Sequence, residues 1–203
     1  MRISAEDHER ISAAIRTAEG KTSGEIVCVL AETSSDATGL PVFIAAVISL
    51  ALPWLLVEVT AMPVFHILSL QIAAFFAATG LLCLPQVRVA LVPRSARRAV
   101  AHRAALEQFA IRGIAHNKDR NGILVFVSLA ERYARIIADD GIAAHVPQSE
   151  WQGAIDALVA HMRDGRIADG FIAAIDKCAK VLTMHFPNNE AKRDDLRSRI
   201  YLI

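Results

Sequence analysis

Three carboxylates in two short turns are the residues whose type and spacing best suit chemistry. Asp119 stands in Asp119-Arg120-Asn121-Gly122, and Asp139 and Asp140 stand in Asp139-Asp140-Gly141. Each turn borders a short apolar run. If those runs pair as a tight antiparallel hairpin, the start of the first lies beside the end of the second, and the three acids meet at one sheet edge. Ca²⁺ takes six to eight oxygens, largely from carboxylates and carbonyls, and Mg²⁺ also takes oxygen ligands, so such an edge could hold a divalent cation. A cation there could activate a water for hydrolysis. The competing reading is turn chemistry: Asp, Asn and Gly serve the backbone in turns, with Arg120 neutralising a carboxylate.

Other catalytic patterns are missing. The sequence has no Cys-x5-Arg loop, no Asp-x-Asp pair after a strand and no Gly-x4-Gly-Lys-Ser/Thr loop. Its histidines, His8, His66, His102, His116, His145, His161 and His185, include no pair at i, i+4 on one helix, as a zinc site would want. They are expected at the surface or as satisfied core groups. Cys28, Cys83 and Cys178 are odd in number and share no CxxC spacing, which points to free thiols in a reducing compartment. The formal net charge of +1 provides no field for nucleic acid.

The elements that must position the acids follow from periodicity. Ser4 with an acid three residues on resembles a capping box. Ile11, Ala14, Ile15 and Ala18 recur at helical spacing, so residues 4–19 should form an amphipathic helix. Thr22-Ser23-Gly24 turns into Glu25 to Leu30, a β-branched run expected as a buried strand. Ser95 to Ile114 is helical. Gly122 to Ser128, too short for a helix, is expected as a central strand, and Tyr133 to Ala138 as its antiparallel partner across a turn at Leu129 to Arg132. Ser149 and Gln152 suggest a second capping box opening a helix with the stripe Trp151, Ile155, Leu158, Val159 and Met162. Phe171 to Leu182 makes another helix, ending before Pro187. Beyond Asn188 the charges alternate, and a frayed end is expected.

Between the first strand and the helix at Ser95 lies a different kind of sequence. From Ala37 to Val87 the only formal charge is Glu58. A bilayer span needs roughly 20 mostly apolar residues, and this run holds two: Leu40 to Val57 and Met62 to Leu84, joined by Glu58-Val59-Thr60-Ala61. In hydrocarbon both should be helices, with Pro53 kinking the first. His66, Ser69 and Gln71 are uncharged and suit helix-to-helix hydrogen bonds better than a transport path. Trp54 is expected as an interfacial or packing anchor and Trp151 as core. Arg88, Arg94, Arg97, Arg98 and Arg103 follow the hairpin without an intervening acid, Arg2, Arg10, Arg16 and Lys21 precede it, and its turn has no base. Positive charge stays in the cytoplasm, so both termini should be cytoplasmic. The expected division is a discontinuous α/β domain of residues 1–36 and 94–187, a hairpin of residues 40–84 and a charged tail of residues 188–203.

This order of elements is similar to that of the TPM domain family. The likeness rests on Glu19…Thr22-Ser23-Gly24-Glu25-Ile26, Phe109…Gly113, Asn121 to Ser128, Glu131-Arg132…Ile136 to Ile142, and Met184-His185-Phe186-Pro187. Within the family it most resembles small bacterial membrane proteins in which two spans interrupt the domain. The resemblance implies a small mixed sheet sandwiched by helices. It also implies relations to photosystem repair, to acid phosphatase activity and to divalent-cation binding through acids at the strand ends. Many members introduce the second strand with Asp-Asn-Gly; here Arg120 intervenes, and its charge does not help a cation. The expected function is therefore an interaction, assembly or quality-control module at the cytoplasmic face of a bacterial inner membrane. Its partners would be the lipid bilayer and other membrane proteins. The alternative is a divalent-cation-dependent (Ca²⁺ or Mg²⁺) phosphatase at Asp119, Asp139 and Asp140.

Overall fold

The computed structural model describes residues 3–33, 39–60, 62–84, 87, 93–114, 120–188 and 200–203. The chain divides into two compact units, Met1–Ser34 with Val100–Ile203, and Ser35–Ala99.

The first unit opens with α1 (Ala5–Glu19), whose N-terminus is closed by Ser4: its side chain accepts the Asp7 N–H at 3.0 Å. β1 (Glu25–Ala31) follows. The second unit holds α2 (Gly39–Val59) and α3 (Val64–Leu82). It also holds the start of α4 (Arg94–Ile111), whose residues from Val100 belong to the first unit. Then come β2 (Gly122–Ser128), β3 (Tyr133–Ala138), the single turn α5 (Asp140–Ala143), a 3-10 turn at Gln148–Trp151, α6 (Gln152–Arg163), α7 (Ile167–His185) and β4 (Ile200–Leu202).

The strands form one sheet in the order β3-β2-β1-β4. β1 runs parallel to β2, with Glu25 beside Gly122 and Ala31 beside Ser128, while β2 and β3 are antiparallel. β1 and β2 are buried at every position, which is why both are continuous apolar runs rather than alternating ones. On one face Ile26, Cys28, Leu30, Ile123, Val125 and Ile136 pack with Ile11 and Ile15 of α1, Leu158 of α6, Phe171 and Leu182 of α7, and Trp151. On the other face Val27, Val29, Leu124 and Phe126 pack with Ala105 of α4 and with Ile114. Burying one such large side chain is worth roughly 1.5–3 kcal/mol, so the two layers are the main stabilising feature. The result is the mixed, helix-covered sheet that the sequence leads one to expect.

Three details differ from expectation. Of the charged tail, which was expected to fray, only residues 188 and 200–203 are described, and its last residues are ordered in the sheet. Ile200, Tyr201 and Leu202 pair in parallel with Cys28, Val29 and Leu30, because three apolar residues can take the open edge of β1 and bury Ile200 in the core. Tyr201 is also held beneath the Arg112 guanidinium, 3.9 Å from its ring centroid, and His8 Nε2 donates to the Ile200 carbonyl at 3.0 Å. Ser149 does not cap a helix. The chain enters the 3-10 turn from Pro147, and α6 starts at Gln152 with no side-chain cap. Finally, α5 carries no sequence signal beyond Asp139, which serves as its N-cap.

The second unit is organised differently. α2 and α3 are long and apolar enough to cross a membrane, and within their most apolar windows only 11% and 6% of residues are buried. Pro53 lies inside α2. Ser49 Oγ donates to the Gln71 carbonyl across the hairpin at 3.0 Å, while Ser69 Oγ turns back to the Phe65 carbonyl of its own helix.

Candidate functional site

The antiparallel pairing of β2 with β3 sets Ile123 opposite Ala138, and the Asp139 N–H donates to the Gly122 carbonyl at 2.9 Å. The two acidic turns are therefore neighbours. Asp119 lies outside the described residues, but Arg120 beside it is described. Its carbonyl packs so closely on Gly141 that a Cβ there would overlap it. A glycine is needed at that position because the backbones of the two turns touch.

Each described carboxylate is engaged in this arrangement. Asp140 forms an ion pair with Arg120, Oδ2 to Nη1 at 3.0 Å, and both side chains are well exposed. Asp139 is 5% exposed. Its Oδ1 accepts the Asp140 N–H at 2.7 Å, and its carbonyl accepts the N–H of Ile142 and of Ala143, so it caps α5 from both side chain and backbone. The second carboxylate oxygen of Asp139, Oδ2, is buried and has no hydrogen-bond partner. A buried acceptor left so is costly, and it is what a cation or an ordered water would satisfy. Against a full cation shell, a metal at Asp140 would have to displace the guanidinium. Among the described residues no three His, Cys, Asp or Glu side chains converge. The described donors thus do not fit a protein-built Ca²⁺ site.

A family model for the TPM domain matches residues 71–181, more than half of the 203-residue chain. The chain belongs to the TPM domain family. Its structure is similar to the NMR structure of the BA42 protein from the psychrophilic bacterium Bizionia argentinensis, with TM-score 0.63 and 19% identity over 100% of this chain and 97% of that one. At this identity the likeness is one of fold. The N-terminal domain of a P. gingivalis protein, also solved by NMR, is matched at TM-score 0.47 and 14% identity over 93% and 83% of the two chains, too loosely to add to it. No curated protein is matched.

The TPM match starts within α3 and stops within α7, leaving out α1, β1 and β4. The structure shows what the residues behind the family resemblance do. At the N-terminal end of β1, Glu19 is buried and its Oε1 accepts the Ile26 N–H at 3.0 Å. Thr22 Oγ1 accepts the Gly24 N–H and donates to the Phe186 carbonyl, Ser23 N–H donates to the same carbonyl, and Asn121 Nδ2 donates to the Ser23 carbonyl. At the other end of the sheet, Ser128 Oγ and Thr33 Oγ1 both donate to the buried Glu131 carboxylate. Arg132 next to it takes a left-handed conformation, φ 50°. These polar residues brace backbone at the two ends of the sheet. Sequence reasoning missed Glu19 and Glu131 as bracing groups: Glu19 stands beside Gly20 and Lys21 and Glu131 beside Arg132, neighbours that read as exposed turns.

The remaining sequence candidates are dispersed. Arg94, Arg97, Arg98 and Arg103 all lie on α4 and join no ion pair among the described residues, while Arg88 lies outside them. Trp54 is 82% exposed and Trp151 buried. The three cysteines are free thiols. Burial pushes Cys28 well above its ordinary range and Cys178 up to about 12, so both stay protonated and unreactive at neutral pH.

Proposed function

We propose that this chain is a membrane-anchored TPM domain that serves as an interaction, assembly or quality-control module at the cytoplasmic face of a bacterial inner membrane. One observation carries the reading. The two apolar layers around the sheet are built from the first unit's residues alone, whereas α2 and α3 leave Phe43, Trp54, Phe65 and Phe76 between 66% and 82% exposed. A water-soluble fold does not maintain such a surface; a bilayer covers it. The arginines flanking the hairpin, Arg88, Arg94, Arg97, Arg98 and Arg103, support a cytoplasmic placement of both termini. Its partners are then the bilayer and other membrane proteins.

The test is residue labelling in intact cells. In a Cys83→Ser background the other two native thiols are buried, so cysteines introduced at Ser4 and at Ile203 report on topology. Both should react only with a reagent that crosses the inner membrane. Labelling of the two ends from opposite sides, or a protein freely soluble without detergent, overturns the anchor. Crosslinking in native membranes that recovers no reproducible protein overturns the interaction role.

The second reading, a cation-dependent phosphatase, has one atom in its favour, the unpartnered Asp139 Oδ2. Hydrolysis of a generic phosphomonoester with Mg²⁺ or Ca²⁺ added, abolished by Asp139→Asn, would support it. No turnover ends it.

A further inference from the structure

A second site lies at the outer edge of β3, and Ala138 and Ala143 of its lining adjoin the Asp139-Asp140 turn. A cavity of about 160 Å³ is lined by His102 and Leu106 of α4, Arg135 and Ile137 of β3, and Val146, Gln148 and Trp151 from the segment after α5. That is room for roughly five waters, or for one tetrahedral ion. Every residue that lines it belongs to the first unit.

The polar side chains here, Arg135, His102 and Gln148, each offer an N–H donor. Arg135 sits opposite Phe126 in the β2/β3 register and is half-buried. A guanidinium carries five N–H donors, accepts nothing and cannot shed its charge. Arg135 has no hydrogen bond or ion pair among the described residues, in contrast to Arg10, Arg16, Arg120 and Arg166, each of which pairs with a carboxylate. Tyr133 Oη lies 3.3 Å from His102 Nδ1. With the tyrosine hydroxyl donating to Nδ1, the neutral imidazole carries its proton on Nε2, which has no described partner. Gln148 Nε2 donates one N–H to the Ile136 carbonyl at 3.1 Å, which blunts the edge strand and leaves a second N–H. Among the described residues no acidic side chain lines the cavity; Asp139, next in the chain to Ala138, is not part of its lining. The apolar walls from Leu106, Ile137, Val146 and Trp151 lower the local dielectric and strengthen any charge-assisted bond formed between them.

We propose that this cavity binds a single phosphate-type oxyanion, held by Arg135 with His102 and Gln148 as the flanking donors. Arg135 brings a charge to this lining with no carboxylate beside it among the described residues, and a small oxyanion is the ligand that pairs with that charge while accepting from His102 and Gln148 in this volume. The proposal is independent of the membrane anchor and of any metal at Asp139.

The test uses the full chain in detergent micelles, with arginine side chains labelled for NMR and inorganic phosphate titrated against chloride at constant ionic strength. The Arg135 guanidinium signals should shift and saturate, and acetate should titrate far more weakly. Arg135→Gln should weaken phosphate binding roughly tenfold or more, as expected for loss of a hydrogen-bonded charge, and His102→Gln should weaken it less. Should Arg135→Gln fail to fold, the wild-type titration and His102→Gln still decide. Arg135 signals that do not move, equal binding by either variant, or an acetate response matching that of phosphate would each overturn the site. A response to vesicles containing phosphatidic acid without one to inorganic phosphate would overturn it as well, since only a surface headgroup contact would then remain.

Discussion

β2 and the hairpin helices are the most apolar stretches of this protein, and they have opposite fates. β2 is buried at all seven positions between two helical layers, while the hairpin shows most of its apolar side chains to its surroundings. The contrast teaches that an apolar run specifies only that something must cover it. Length decides what: seven residues fit within a sheet, whereas 21 and 19 residues in helix match the thickness of a bilayer.

Two phenylalanines test this contrast most directly. Phe126→Ala, at a position with no exposure, should destabilise the α/β domain by ~3–5 kcal/mol. Phe76→Ala, at one that is 69% exposed, should change it by no more than ~0.5 kcal/mol in detergent. Denaturant unfolding followed by tryptophan fluorescence reads both, and comparable losses would mean that α3 is part of the domain core.

Two glycines repeat the contrast on a smaller scale. A Cβ at Gly141 would overlap the Arg120 carbonyl, whereas one at Gly80 would meet nothing within 4 Å. Gly141→Ala should cost ~1–3 kcal/mol by forcing the two acidic turns apart. Gly80→Ala should be neutral or stabilise α3 slightly, since alanine is the better helix former. Thermal unfolding and helicity by circular dichroism measure the pair.

The buried thiols of the domain add a pH dependence. Cys28 and Cys178 are held protonated by desolvation, Cys178 up to about 12 against an ordinary 9.0. The unfolded chain therefore releases these protons first. Stability is undiminished by them below about pH 9 and falls as the pH rises from there towards the folded-state values. Cys178→Ala should flatten that alkaline decline in an equilibrium titration; an unchanged slope would mean that the thiol is not buried as described.

The smallest effect concerns β4. Tyr201→Ala removes the stacking with Arg112 and should cost ~0.5–1 kcal/mol, seen as faster hydrogen exchange at the Glu32 and Ile203 N–H groups that join the two strands.

Much of the fold was legible because each element announces itself locally. The limits of β2 and β3, their antiparallel pairing and the Ser4 cap follow from short apolar runs and from turn residues close by in the chain. The acidic edge was legible to the same extent: hairpin pairing alone brings Arg120 to Asp140. Its chemistry was not, because whether Asp140 is free or paired, and whether Asp139 faces water or caps α5, depends on where side chains end up.

The sequence by itself determined that an α/β domain is interrupted by a long apolar hairpin, because hydrophobic period and run length are properties of neighbouring residues. Only the tertiary structure decided that Ile200 to Leu202 complete the sheet beside β1, that Glu19 and Glu131 brace its ends, and that Arg135 and His102 share a cavity. Those pairings join residues far apart in the chain, and a contact of that kind leaves no periodic trace in either partner's surroundings.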